Sequence, residues 1–260
     1  MAGFDDPAFF GDTWAQAYSD LTFGPAPERA VEFLATLPES AGRVLELGIG
    51  GGRMALPLAR RGIKVEGIEA SQAVLDRLRA TPGGEAIPVT VGDMADVPVD
   101  GPFDLVYLVW DGLFHLPTQK RQVICFRNVA RVLAPGGVFV LECLVPTPAL
   151  FDRGVEVNTV TEGRASLTLT RHDPVAQRIF TQRVGFMDGE RVQVFPVAMR
   201  YCWPSELDLM ADMAALRLRE RYADWSRAPF GPASGGHVSM YELPDPEGSP
   251  RRSSRPGSTA

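Results

Sequence analysis

Residues 45–53 read LELGIGGGR, and the fold turns on how this stretch is read. RVLELG (43–48) has the apolar run of a short strand, and GRMALPLARRG (52–62) has the spacing of a helix stopped by Gly62. Glycines between a strand and a helix let the backbone turn sharply and approach a ligand closely. The helix N-terminus beyond them offers free N–H groups to an anion. The dinucleotide fingerprint G-x-G-x-x-G, begun at Gly48, requires glycine at position 53, where this chain has Arg53. The loop is instead G-x-G-x-G, carried by Gly48, Gly50 and Gly52, with an acid, Glu46, just before it.

Downstream, strands and helices alternate. IKVEGIEA (63–70) is a second strand, and SQAVLDRLRATPGG (71–84) a helix with Ser71 as N-cap. AIPVTVGDM (86–94) and FDLVYLVW (103–110) are strands three and four. PTQKRQVICFRNVARVLAPGG (117–137) is a helix, and VFVLECLV (138–145) strand five. Such alternation predicts a parallel sheet wound by right-handed crossovers. Strand two delivers Glu69 and Ala70, with the acid about 20 residues after Gly48, the spacing at which a carboxylate grips a ribose hydroxyl pair. Strand three delivers Asp93, which could accept from an adenine amino group, and Met94, whose N–H could meet a ring nitrogen. The four features together point to an adenosine cofactor.

The flanks differ in texture. Residues 1–42 contain two helical stripes, GDTWAQAYSDL and APERAVEFLATL, expected to cap the site. Residues 151–202 alternate with period two around Asp-Pro and Asp-Gly turns, predicting a three- or four-stranded antiparallel insert. The main domain, 43–150, resumes over 203–243 with WPSELDLMADMAAL as a helix and RLRERYADW and HVSMYEL as strands. Residues 244–260 lack apolar side chains and read as a disordered tail.

A net charge of −6 disfavours a nucleic-acid partner. The N-terminus as given has no basic segment followed by an apolar core. No uninterrupted apolar run approaches the ~20 residues of a membrane span, so no membrane partner is expected. Cys125, Cys143 and Cys202 are widely spaced, which predicts buried reduced thiols and a cytoplasmic location. No set of residues has metal-ligand spacing, and no metal is expected.

ELGIGGGR, GIEAS, GDM and ARVLAPGGVFVLE together resemble the class I S-adenosyl-L-methionine-dependent methyltransferases over residues 10–243. The insert after strand five resembles that of small-molecule enzymes of natural-product pathways, such as amino-sugar N,N-dimethyltransferases. The resemblance implies a Rossmann-like, mostly parallel seven-stranded sheet flanked by helices, its last strand antiparallel. It implies S-adenosyl-L-methionine on the residues above. The strand-four carbonyls of Val109 or Trp110 would lie near the cofactor's amine, and Tyr18 or Arg53 would meet its carboxylate.

It also implies that Tyr18 and His115 line the reacting centre. His115 closes LVWDGLFHL (108–116), where strand four gives way to a loop at the ligand-binding edge. A histidine near neutrality can take a proton from an acceptor, tuned here by Asp111 or Tyr18; alternatively the ring braces the loop. His237 stands where relatives of this type carry an arginine, which disfavours a phosphorylated acceptor. Trp14, Phe23, Tyr201 and Trp203 are candidates to roof an acceptor, or are packing aromatics. His172 reads as solvent-facing, and Arg200 as a surface ion pair. The expected activity is methyl transfer to N or O of a small-molecule acceptor. The alternatives are a peptide terminal amine as acceptor, or a non-catalytic cofactor-binding protein. The inserted sheet is compatible with a homodimer.

Overall fold

The computed structural model describes residues 4–15, 28–37, 42–147, 154–161, 164–187 and 191–244. Two N-terminal helices, α1 (Phe9–Trp14) and α2 (Glu28–Ala35), precede strand β1 (Arg43–Leu47). Then come α3 (Ala55–Arg60), β2 (Lys64–Glu69), α4 (Gln72–Ala80), β3 (Val89–Val91), β4 (Phe103–Leu108), α5 (Gln119–Val132) and β5 (Leu133–Leu144). Ser71 caps α4 as expected, its hydroxyl accepting from the Val74 N–H. Strands β6 (Val155–Thr161), β7 (Arg164–Asp173), β8 (Arg178–Met187) and β9 (Arg191–Arg200) follow, then α6 (Pro204–Asp212), β10 (Arg217–Tyr222) and β11 (Gly236–Glu242).

The main sheet has seven strands in the order β10-β11-β5-β4-β1-β2-β3, with β11 antiparallel to both neighbours. Crossovers from β1 to β2 and from β4 to β5 run parallel because each strand feeds a helix that packs back on the sheet. Leu45, Leu47, Phe103, Val106, Phe126 and Phe139 fill one face of the sheet. Val44, Leu105, Tyr107, Leu58 and Leu78 fill the other. Burial on both faces explains the nearly unbroken apolar reading of β4. The insert is a separate four-stranded antiparallel sheet, β6-β7-β8-β9.

Some local expectations need correction. The first helix begins at Phe9 rather than Gly11, and its described part ends at Trp14. Strand β5 starts at Leu133, through the Pro135-Gly-Gly segment expected to separate it from the helix. Arg200 is no surface residue: it is buried on the Glu206 carboxylate (2.7 Å) and the amides of Gln122 and Gln177. His172 does not face solvent freely, since its Nε2 meets the Tyr201 hydroxyl at 3.0 Å. The three cysteines are buried and free, and burial pushes the Cys125 thiol up to about 12. Tyr18, Phe23 and nearly all of the expected tail lie outside the described residues. Among the described residues, no helix is long and apolar enough to cross a membrane. Nor does any group of three or more His, Cys, Asp or Glu among them stand where it could hold a metal ion.

Candidate active site

Ligands bind at the carboxyl edge of an open parallel sheet because the strands there release their chains into loops. A cavity of about 540 Å³ lies at that edge, over β1, β2, β3 and β4. The glycine loop forms its floor. Gly48, Gly50 and Gly52 all have φ in the left-handed region, +63°, +56° and +77°, which explains the residue type at each. A Cβ added at Gly51 would meet nothing within 4 Å, and one at Gly48 only Met94 Sδ at 3.7 Å, so the backbone borders open cavity. Gly52 faces the other way: its Cβ would come 2.5 Å from Leu78 Cδ1, so it serves packing against α4.

Glu69 ends β2 in the cavity wall. Its Oε2 accepts the Gly50 N–H (2.9 Å) and its Oε1 the Ser71 N–H (2.9 Å). A carboxylate has about four acceptor positions, so room remains for a pair of hydroxyls. Burial raises its pKa, opposed by these N–H donors. Asp93 Oδ1 accepts the Ala95 N–H (2.8 Å), and Oδ2 pairs with the Arg121 guanidinium, which also holds Asp96 (2.9 Å). Glu46 lies beneath the loop rather than in the cavity: it is 2% exposed and accepts the Tyr107 hydroxyl at 2.8 Å. Burial lifts its pKa to about 8, so it is protonated at neutral pH.

Beyond β4 the chain makes two successive left-handed residues, Trp110 (φ 52°) and Asp111 (φ 57°). Non-glycine residues hold this conformation only where the surroundings enforce it. Glu142 Oε2 accepts the Trp110 N–H (3.0 Å), its carbonyl accepts the Asp111 N–H (3.2 Å), and Asp111 Oδ1 accepts the Leu144 N–H (2.6 Å). Burial, with Glu142 nearby, raises the Asp111 pKa to about 6. The pinned turn leads into a single 3₁₀ turn, Gly112–His115, that puts His115 in the cavity wall. Burial pulls the His115 pKa down to about 4, so the ring is neutral at physiological pH. Among the described residues it has no hydrogen-bond partner; its neighbour is the Phe10 ring, at 4.4 Å between centroids.

The cavity thus brings together Gly48, Gly50, Arg53, Glu69, Ala70, Asp93, Met94, Val109, Trp110 and His115. Arg53 lies over the Trp110 ring at 4.1 Å. Trp14 stands behind the wall, stacked on Phe10 (5.5 Å) and packed on Phe195 (4.9 Å). Tyr201 is buried away from the cavity on His172. Asp111 and His237 line a second, smaller cavity instead. Three contributors were missed in the sequence. Arg121 read as part of a helix and Glu142 as part of a strand. Phe10 fell just outside the helical stripe. The one available signal was Glu142, an acid inside an otherwise apolar strand.

A family profile described as a methyltransferase domain matches residues 44–137, the segment that carries the loop, Glu69, Asp93 and His115. The cypemycin N-terminal methyltransferase of a Streptomyces species is 31% identical over 233 residues, 86% of this chain and 94% of that protein. An N,N-dimethyltransferase of Saccharopolyspora spinosa, named for dTDP-4-amino-2,3,4,6-tetradeoxy-D-glucose, is 30% identical over 164 residues, 56% of this chain and 64% of that one. The methyltransferase CcbJ from Streptomyces caelestis superposes with a TM-score of 0.84 at 35% identity, covering 92% of this chain and 99% of that one. An open glycine floor, a ribose-spaced acid and a further acid after β3 fit S-adenosyl-L-methionine, and the chain belongs to the class I S-adenosyl-L-methionine-dependent methyltransferases.

Proposed function

We propose that this enzyme methylates an amine nitrogen of a small-molecule natural product. S-Adenosyl-L-methionine supplies a methyl group already activated on a sulfonium sulfur, which a nucleophile displaces in line. The chain's own task is to hold the acceptor at ~3 Å from that carbon and to manage its proton.

The observation that carries the amine reading is the setting of His115, in the wall of a largely apolar cavity with the Phe10 ring as its neighbour. Burial pulls its pKa down to about 4, which makes the ring a poor general base for an alcohol. A neutral amine has a free lone pair and needs no prior deprotonation. The His115 ring can accept a hydrogen bond from the amine N–H, which turns the lone pair toward the methyl group. The apolar wall of Leu108, Val109, Leu116, Pro196 and Val197 favours the uncharged amine over its ammonium form.

A peptide terminal amine is the second reading, favoured by the name of the relative that matches nearly end to end. Both readings are tested by incubating the enzyme with ¹³C-methyl-labelled cofactor. The panel holds amino sugars, amino-acid amides, short peptides and simple alcohols, and products are identified by mass spectrometry and NMR. N-methylated small molecules support the lead reading. Exclusive peptide products would replace it with the second, and O-methyl products would overturn both.

A further inference from the structure

The turn that follows β3 carries Asp93 and Met94 into the wall of the main cavity, and α5 holds that turn in shape. Residues 121, 125, 128 and 131 fall on one side of the helix at helical spacing. Each takes a different part of the turn. The Arg121 guanidinium spans its two ends, pairing with the carboxylates of Asp93 and Asp96 (2.9 Å to Asp96). The Cys125 thiol meets the Met94 carbonyl at 3.8 Å. The Asn128 amide donates to the Ala95 carbonyl (2.9 Å), and the Arg131 guanidinium donates to the Val97 carbonyl (2.7 Å).

The turn needs that support. Val97 has φ 43°, in the left-handed region, which a β-branched residue adopts only where its surroundings enforce it. Ala95 and Val97 are fully buried, so their carbonyls must find donors within the protein, and Asn128 and Arg131 supply them. Asp93 and Met94, by contrast, keep hydrogen-bonding capacity to spare. Asp93 Oδ1 takes the Ala95 N–H and Oδ2 the Arg121 guanidinium, which leaves each oxygen one further acceptor position. Among the described residues the Met94 N–H has no hydrogen-bond partner. The turn therefore offers an acceptor and, one residue on, a donor.

We infer that Arg121 and Asn128 are positioning residues for cofactor selection: by fixing the turn after β3 they let the enzyme tell an adenine from a 6-oxopurine. The inference rests on the expectation that Asp93 takes the adenine amino group and the Met94 N–H a ring nitrogen. A 6-oxopurine reverses both contacts. Its O6 sets an acceptor against the carboxylate, and its N1–H replaces a ring acceptor with a donor. A site built to hydrogen-bond one pattern rejects the reversed one only while its own groups are held in place. Asn128 bonds Ala95 and is not among the residues lining the cavity, so its effect passes through the turn.

The test is calorimetry on the full chain with S-adenosylhomocysteine and with S-inosylhomocysteine, which carries the 6-oxopurine. The wild type should prefer the adenosyl compound by about tenfold or more. Arg121→Met and, separately, Asn128→Leu should each weaken S-adenosylhomocysteine by about fivefold or more and leave S-inosylhomocysteine within roughly twofold. The preference then shrinks without a general loss of binding. A cooperative thermal transition shows that a variant is folded; if Asn128→Leu does not fold, Arg121→Met, at a partly exposed side chain, carries the test. Equal weakening of both compounds is what a helix that only supports the fold would give, and it would overturn the inference, as would wild-type binding of both. Asp93→Ala separates the inference from the expectation beneath it. If Asp93→Ala loses the preference while both α5 variants keep it, the positioning role alone fails. If Asp93→Ala keeps the preference, Asp93 does not read the adenine, and the inference falls with it.

Discussion

Phe10 of α1 and His115 of the turn after β4 stand ring to ring, with centroids 4.4 Å apart and planes tilted by 50°. The N-terminal helix therefore touches the one imidazole of the main cavity. Two residues on, Asp12 accepts the hydroxyl proton of Ser71, the residue next but one to Glu69. One short helix contacts both His115 and the start of α4 beside Glu69.

The role of the imidazole can be separated from that of the cofactor site. His115→Gln is expected to leave S-adenosylhomocysteine affinity unchanged in calorimetry and to cut turnover by about 10². With a pKa of about 4 the ring is neutral throughout, so it should add no inflection to kcat between pH 6 and 9. Unchanged turnover would leave His115 only the task of bracing its loop.

Placement of α1 depends on Gly11. A Cβ there would come 2.4 Å from Ser71 Cβ and 3.3 Å from Val74 Cγ2. Gly11→Ala must push the helix off α4, at a cost of about 1–2 kcal/mol by analogy with overpacked cores. The expected result is a roughly tenfold loss of cofactor affinity together with slower turnover. Wild-type values for both would mean that α1 shifts without disturbing either wall.

The glycine loop and the acids at the strand ends were legible in the sequence because local rules govern them. Gly48 and Gly50 are dictated by backbone conformation, and Glu69 and Asp93 by the fixed reach of strands that end at one edge. The residues that surround this framework were not legible. Phe10 packs on His115, Glu142 pins the turn at Trp110 and Arg121 holds Asp93, from three distant parts of the chain, and no spacing rule links them. Arg200 misled for a related reason. An arginine reads as a surface residue until Gln122, Gln177 and Glu206 converge on it to satisfy its donors.

Glu69 carries the ribose expectation. Glu69→Ala should weaken S-adenosylhomocysteine at least tenfold, since hydrogen bonds to a charged group contribute about 1.5–3 kcal/mol. Burial raises the Glu69 pKa in the free enzyme, and hydroxyl donors favour the ionised form. Affinity should therefore fall as pH is lowered, with a midpoint above the ordinary carboxylate value, and Glu69→Gln should remove the dependence. Lost turnover with unchanged affinity in Glu69→Ala would contradict a ribose contact.

Glu46 makes a prediction about stability instead. Its pKa is raised from 4.5 to about 8, chiefly by burial, and its partner is the Tyr107 hydroxyl. From pH 4.5 to 8 the folded chain keeps a proton that the unfolded chain has lost. Stability from this group is therefore complete below 4.5 and declines as pH rises toward 8. His115 and His237, both lowered to about 4, act in the opposite sense: their contribution is lost as pH falls from 6.5 toward 4. Above pH 7 the histidine contribution is nearly constant, and Glu46 is left to set the slope, on the order of 1 kcal/mol between pH 7 and 8. Thermal unfolding of the wild type should drop by a few degrees over that unit. Glu46→Gln keeps an oxygen for the Tyr107 hydroxyl but has nothing to titrate, so its curve should be flatter. Parallel wild-type and Glu46→Gln curves would mean that Glu46 is already ionised beneath the glycine loop.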